Sequence, residues 1–213
     1  MRLRPDLQTR VTAARFLEKE RELHRQAESA SFPREFVLVW ECEERAVILG
    51  RGGRAGDQVH AGACHHDNVP ILRRDSGGGA VLLGPGCLGY TLILHLERRP
   101  HLRDIEASYR CILGDVAQAA GLARAEQSET DLVLSGHKFA GCSQRRMRRT
   151  LLHHGTLLYD FAIVDMERYL SEPARRPAYR GERGHVDFVA NAAIHPAFAG
   201  RLRALYPEAE WAA

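Results

Sequence analysis

Lysine is almost missing from this chain. Of its 30 Lys plus Arg residues only Lys19 and Lys138 are lysines. Wherever a positive charge alone is needed the sequence uses Arg, so a retained lysine points to a task that a guanidinium cannot do. An ammonium is a compact charge that sits close to one or two oxygens, whereas a guanidinium is a wide planar fork. Paired cysteines are missing too. Cys42, Cys64, Cys87, Cys111 and Cys142 are odd in number and show no CxxC spacing, which excludes a disulfide framework or a cysteine zinc site and implies free thiols in a reducing compartment. No apolar run approaches the roughly 18 residues needed to span a bilayer, and Met1-Arg-Leu-Arg-Pro5 opens no signal-peptide core. The expectation is a cytoplasmic protein without a membrane partner. Repeats and low-complexity tracts are absent. A net charge of +3 gives no footprint for nucleic acid, although arginines cluster at 145–149 and 175–183.

What is present reads as a 213-residue globular chain with 45% apolar and 27% charged residues. Ala13, Phe16, Leu17, Glu20, Leu23 and Ala27 have helical spacing, predicting a helix from about Val11 to Ala30. Phe36–Trp40 and Ala46–Leu49 predict a hairpin. A glycine- and arginine-rich loop at 50–56 leads to a short helix over Gln58–His66. Strands follow at Val69–Arg73, Ala80–Leu83 and Tyr90–Leu96. Asp104 caps a helix that Gly121 ends. Leu132–Leu134 and Lys138–Ser143 form a hairpin turned by Ser135-Gly136. Strand Thr150–Tyr159, helix Val164–Leu170, a basic loop at 173–183 and helix Pro196–Tyr206 complete the chain. Helices and strands mix without alternation, so the fold class expected is α+β, one domain over 1–213 with a mainly antiparallel mixed sheet flanked by helices.

Three segments carry chemistry. Arg73-Arg74-Asp75-Ser76-Gly77-Gly78-Gly79-Ala80-Val81 follows a strand with three glycines. It is neither a dinucleotide fingerprint nor a P-loop, but glycine N–H groups beside arginines and a serine suit an anion or adenylate. Gly136-His137-Lys138-Phe139-Ala140-Gly141 sets the lysine between glycines. His153-His154-Gly155-Thr156 follows. Adjacent histidines on a strand face opposite ways, which disfavours metal binding, and no carboxylate at triad spacing is apparent for Ser-His-Asp chemistry.

Together these motifs resemble the lipoate–protein ligase A family, which groups with biotin ligases and octanoyltransferases. The resemblance runs in order from about Val37 to Leu170 and includes Leu49-Gly50-Arg51 and Asp131. Pro177-Ala178-Tyr179-Arg180 with His185-Val186-Asp187-Phe188 is similar to shorter bacterial members. The resemblance implies a biotin/lipoate ligase-like catalytic domain that activates lipoate with ATP to lipoyl-AMP and acylates a lysine of a lipoyl-domain or H-protein-like acceptor. It implies Lys138 as the catalytic charge. Arg73, Arg74, Ser76, Gly77, Gly78, Gly79, Ala80, Val81, Gly141, Arg145, His154, Gly155 and Thr156 would bind lipoate or adenylate. Asp131 would hold Mg2+, and the lipoyl tail would lie near Val81 and Trp40.

The sequence departs from the family at Leu83, Gly84 and Cys87 or Leu88, where many members have His-Asp and Asn, and at Thr130, where relatives often have Asn. Members often carry a small accessory domain. A chain of this length is expected to need an accessory subunit or to close with the loops at 50–56 and 175–183. Two other functions stay open: an acyltransferase working through a cysteine thioester, with Cys142 as the candidate, and a non-catalytic lipoate-binding protein.

The scarcity of lysine gives a first test. Lys138→Arg is expected to match Lys138→Ala in single-turnover formation of lipoyl-adenylate, both about 10²–10³ below wild type. An Arg variant that keeps more than about a tenth of the wild-type rate contradicts a close-fitting point charge.

Overall fold

A computed structural model of the protein describes residues 9–212; residues 1–8 and 213 of the expected domain lie outside it. The elements are β1 Arg10–Val11, α1 Ala13–Ser29, β2 Phe36–Cys42, β3 Ala46–Leu49, α2 Ala55–Gln58, α3 Ala61–His66, β4 Ile71–Arg73, β5 Val81–Leu83, β6 Cys87–His95, α4 Ile105–Ala119, β7 Glu126–Ser128, β8 Asp131–Leu134, β9 His137–Arg146, β10 Thr150–Leu158, α5 Val164–Tyr169, α6 His185–Phe188, α7 Phe198–Leu205 and β11 Glu210–Trp211. Two 3-10 turns, Pro100–Arg103 and Ala178–Arg180, complete them. The class is α+β with a mainly antiparallel sheet flanked by helices, as the sequence predicts.

The large sheet runs β1-β2-β6-β10-β9-β8-β7, with β11 also on β2. All its pairs are antiparallel except β1 and β11 against β2. A second sheet runs β4-β3-β5. Period-two alternation divides the core. Phe36, Leu38, Trp40 and Cys42 of β2 join α1 and the small sheet on one face. Val37 and Val39 join α4 and α7 on the other. Burial on both faces explains why β2 and β6 are apolar nearly throughout.

Local signals act as expected at several ends. Thr12 Oγ1 accepts from Arg15 N at the start of α1, and Asp104 Oδ1 accepts from Ala107 N at 2.8 Å to cap α4. Ser135 (φ 51°) and Gly136 (φ 77°) turn the β8–β9 hairpin, the two positive φ values that a two-residue turn requires.

One expectation of strand pairing fails. Phe36–Trp40 and Ala46–Leu49 do not pair as a hairpin: β2 enters the large sheet and β3 the small one. β2 continues through Cys42, and the three residues left before β3 offer no positive φ for a tight turn. Through Gly84-Pro85-Gly86 the chain then passes from β5 in the small sheet back to β6 in the large one. The chain thus crosses between layers twice, which suspends the segment 50–79 over one face of the large sheet. The pattern also misses β1, β7, β11 and α6. The first and third have two residues each, and β7 is a polar, mostly exposed edge strand.

Candidate active site

Strand register places the candidate residues on one face. Reading across the large sheet, Trp40 lies opposite Gly89, Gly89 opposite Thr156, Thr156 opposite Gly141, and Gly141 opposite Asp131. One row along, Leu38 pairs with Thr91, Thr91 with His154, and His154 with Ser143. Lys138 joins this face through an irregularity. Asp131 opposes Gly141 and Leu132 opposes Ala140, yet Val133 opposes Lys138, so Phe139 is an extra residue between them. This bulge turns both Phe139 and Ala140 into the core on the α4 side and returns Lys138 to the side of Gly141.

Lys138 Nζ lies 2.7 Å from Asp131 Oδ1. The other carboxylate oxygen, Oδ2, accepts from Tyr179 OH at 2.7 Å. Lys138 fills the space that Gly141 leaves: a Cβ there would stand 2.8 Å from Lys138 Cε and Nζ. Both oxygens of Asp131 are therefore engaged, and among the described residues no three His, Cys, Asp or Glu converge to hold a metal ion. Asp131 is thus the partner of the lysine.

The glycine loop is braced from beneath by Arg74, which is buried. Its Nη1 donates to Ile48 O at 3.1 Å, its Nη2 to Gly77 O at 2.6 Å and Gly79 O at 3.0 Å, and its Nε to Ser76 Oγ at 3.0 Å. Burial pulls this guanidinium down to about 10. Gly78 has φ +91°, and the chain at Gly50 comes so close that a Cβ there would meet Gly78 O at 2.1 Å. Ser143 Oγ donates to Gly77 O at 3.0 Å, and Ala80 N donates to Gln58 Oε1 at 2.7 Å. With the Gly77 and Gly79 carbonyls held by Arg74, the N–H groups of Gly77, Gly78 and Gly79 have no acceptor among the described residues. Arg73 Nη1 bridges the carbonyls of Gly50, Arg51 and Gly53. Arg73 and Arg74 thus shape two loops with donors that the sequence assigned to a ligand. Arg145 is different: it has no ion-pair partner among the described residues, and its Nε is buried without an acceptor there.

His153 and His154 separate as strand geometry dictates. His153 is buried on the α4 side between Tyr90 OH and Gln144, both at 3.1 Å, and burial lowers it to about 3. His154 faces the site. Its Nε2 meets Ser76 Oγ at 2.6 Å and its Nδ1 meets Glu20 Oε1 at 2.8 Å. Glu20 is buried and also accepts from Thr91 Oγ1 at 2.6 Å. The sequence showed no carboxylate for this histidine; α1 supplies it from 134 residues upstream. Burial raises the Glu20 carboxyl, but attraction and hydrogen bonding to His154, with the Thr91 bond, outweigh it and hold it below the ordinary value. Ser76 is itself buried and takes the Arg74 bond, so the chain Arg74–Ser76–His154–Glu20 ties the glycine loop to α1.

Thr156 shares the Lys138 face, whereas Gly155 faces the α4 side, where a Cβ would strike Tyr90 OH at 2.6 Å. Val81 packs against the cluster that contains Trp40, whose indole stacks on Phe16 at 3.7 Å. Cys142 occupies the opposite face from Lys138, packed toward the α4 side. Its Sγ donates to Thr130 O at 3.1 Å, and burial pushes the thiol far up. A separate surface cleft lined by Glu44, Arg45, Asp67, Asn68, Asp165 and Arg168 contains none of these residues. Its charges pair with one another, as in Arg45–Asp165 at 2.6 Å.

Sequence reasoning missed Glu20, Gln58, Ser143 and Tyr179 as parts of this site. Glu20 carried a signal, since it lies in the apolar register of α1, where a carboxylate needs a buried partner.

Fold and site together define a class: α+β domains that carry a lysine and a braced glycine loop on one face of an antiparallel sheet. Residues 13–194 match the family described as "Lipoyl protein ligase A/B catalytic domain", and the chain belongs to that family. A Mycoplasma pneumoniae protein described as "Probable lipoate-protein ligase A" is 25% identical over 145 residues, covering 68% of this chain and 42% of that protein. A Blochmanniella floridana protein described as "Lipoate-protein ligase A" is 25% identical over 149 residues, with the same 68% and 42%. The chain thus spans about two fifths of the length of these curated relatives.

Among solved structures, a bi-partite lipoate protein ligase from Thermoplasma acidophilum, described with its E2 lipoyl domain, superposes with a TM-score of 0.75 at 15% identity. It covers 100% of this chain and 88% of that one. A lipoate-protein ligase A bound with ATP gives 0.71 at 16% identity, over 100% and 90%. A Thermoplasma acidophilum protein with bound lipoic acid gives 0.71 at 16%, over 100% and 88%. These likenesses establish the fold.

The relay through Glu20 sets a pH test. Its folded value lies below the ordinary carboxyl value of 4.5, so its contribution to stability is complete above pH 4.5 and is lost as pH falls through the folded value. Glu20→Gln should cost about 1–3 kcal/mol at pH 7, as for a hydrogen bond to a charged group. In urea unfolding the gap from wild type should narrow as pH drops below 4.5; a gap independent of pH contradicts an ionised Glu20.

Proposed function

We propose that this chain is the catalytic domain of an ATP-dependent lipoate–protein ligase. The observation that carries the reading is the Lys138–Asp131 pair, set in the gap at Gly141 on the same sheet face as a glycine loop with three unengaged N–H groups. Family membership and the ATP- and lipoic-acid-bound structural relatives support it. In the first step a lipoate carboxylate oxygen attacks the α-phosphorus of ATP and pyrophosphate leaves. Lys138 is the fixed charge for the oxygens of the reacting carboxylate and phosphate. The glycine N–H groups and Arg145 are donors for the remaining anionic oxygens. Preorganised donors of this kind stabilise developing charge without reorganising during the reaction. In the second step the amine of an acceptor lysine attacks the acyl carbonyl of lipoyl-AMP. AMP leaves, and the nitrogen gives up a proton as the amide forms. A lipoyl domain or an H-protein-like domain is the acceptor, a reading supported by the relative described with its E2 lipoyl domain.

The thioester alternative needs a thiolate near the acyl carbonyl. Burial raises Cys42 to about 11 and Cys87 to about 12, Cys64 and Cys111 also rise, and Cys142 lies on the wrong face of the sheet. These features favour the ligase.

The deciding assay is lipoate-dependent pyrophosphate release from ATP, followed by lipoyl transfer to a carrier domain, in wild type and Cys142→Ala. Wild type should release pyrophosphate, and the alanine variant should keep most of that rate. An octanoyl or lipoyl adduct on Cys142 by mass spectrometry, with transfer abolished in the variant, would replace the ligase by a transferase.

A further inference from the structure

We propose that Tyr179, carried on the strap of residues 172–190, is a positioning residue that fixes the Lys138 ammonium through Asp131. The inference rests on the ligase reading for its catalytic consequence, though not for its geometry. The strap holds the lysine hairpin at three places. Ala190 N donates to Lys138 O at 2.9 Å, and Val189 bridges to Lys138. Arg183 Nη1 donates to Gly136 O at 2.8 Å, in the turn that precedes the lysine. Tyr179 OH donates to Asp131 Oδ2 at 2.7 Å, while Asp131 Oδ1 takes the ammonium. The strap therefore fixes both the backbone of the lysine and the counterion of its side chain.

The strap is built to hold that tyrosine in place. Arg180 is buried, and its Nη2 reaches Glu172 at 2.7 Å. Arg183 Nη2 donates to Tyr179 O at 2.6 Å. The Arg180 and Arg183 guanidiniums lie over the Phe188 ring at 4.8 and 5.3 Å, and the Tyr179 ring packs on Phe188 at 5.1 Å. A carboxylate bonded at one oxygen alone can swing about its Cβ–Cγ bond. A donor on the second oxygen fixes its plane and so the position from which it holds Nζ. A catalytic charge displaced by about an ångström loses much of its effect, so the phenol acts on the reaction without touching a substrate.

Because the chain has two lysines, Lys138 can be observed directly. The protein is made with lysine ¹³C-labelled at Cε, which gives two signals, assigned with Lys138→Arg. Exposed Lys19 on α1 is the internal control for the fold and for reagent activity. Tyr179→Phe keeps the ring on Phe188 and removes only the hydroxyl. It should move the Lys138 signal and leave that of Lys19, and raise amine-reagent labelling of Lys138 relative to Lys19 severalfold. It should also lower kcat for adenylate formation about tenfold, as for one hydrogen bond to a charged group, with KM for ATP and acid nearly unchanged. In an Asp131→Asn background the same change should add little, since residues acting through one another are not additive. An unchanged Lys138-to-Lys19 labelling ratio, or additive losses in the two variants, overturns the inference. Wild type that forms no adenylate while Tyr179→Phe still shifts Lys138 overturns the ligase reading and leaves the positioning role intact.

Discussion

The ion pair between Lys138 and Asp131 is the constraint around which the site is arranged. Asp131 is almost fully buried and Lys138 is about one-third exposed. A charge pair so placed is costly to desolvate and strongly destabilising to break, because the survivor is left buried without a partner. The fold meets this demand locally. Gly141 leaves the volume, the extra residue Phe139 turns the lysine to the correct side, and a tyrosine from a distant strap takes the second carboxylate oxygen. The ammonium is thereby held at one place with part of the side chain left exposed.

The two faces of the sheet divide the labour. On the α4 side His153 and Cys142 are held neutral by burial. On the other side Lys138, Thr156, Ser143 and His154 meet the glycine loop. Two crossings between sheets hang this loop over the face, and Arg74 stiffens it by gathering its carbonyls. Arginine is well used there, since a planar fork with five donors can bridge several carbonyls at once. The arginines nearest the glycines gather the carbonyls of two loops, whereas Arg145, in a later run, has a buried Nε without an acceptor among the described residues.

Much of this was legible in the sequence because the signals are local. The Ser135-Gly136 turn, the Asp104 cap and the apolar run of β2 each depend on near neighbours. The motifs around 73–81, 136–141 and 153–158 showed which segments matter. Sheet partnership was not legible: β2 and β3 read as a hairpin, and only long-range pairing sends them to separate sheets. The roles of Arg74, Glu20 and Tyr179 were equally hidden, since their partners lie across the fold at Ile48, His154 and Asp131. The pairing of Asp131 with both Lys138 and Tyr179 was hidden as well, since Tyr179 lies 48 residues away in sequence.

The central claim is that Gly141 is there to make room for the ammonium, and Gly141→Ala tests it most directly. The added methyl would lie against the flexible end of Lys138, with Asp131 Oδ1 next at 3.3 Å. The fold should therefore survive, with unfolding free energy within about 1 kcal/mol of wild type. Single-turnover adenylate formation should fall by at least about tenfold as Nζ is displaced. A folded Gly141→Ala protein that forms adenylate at the wild-type rate would show that the position of Lys138 does not govern the chemistry.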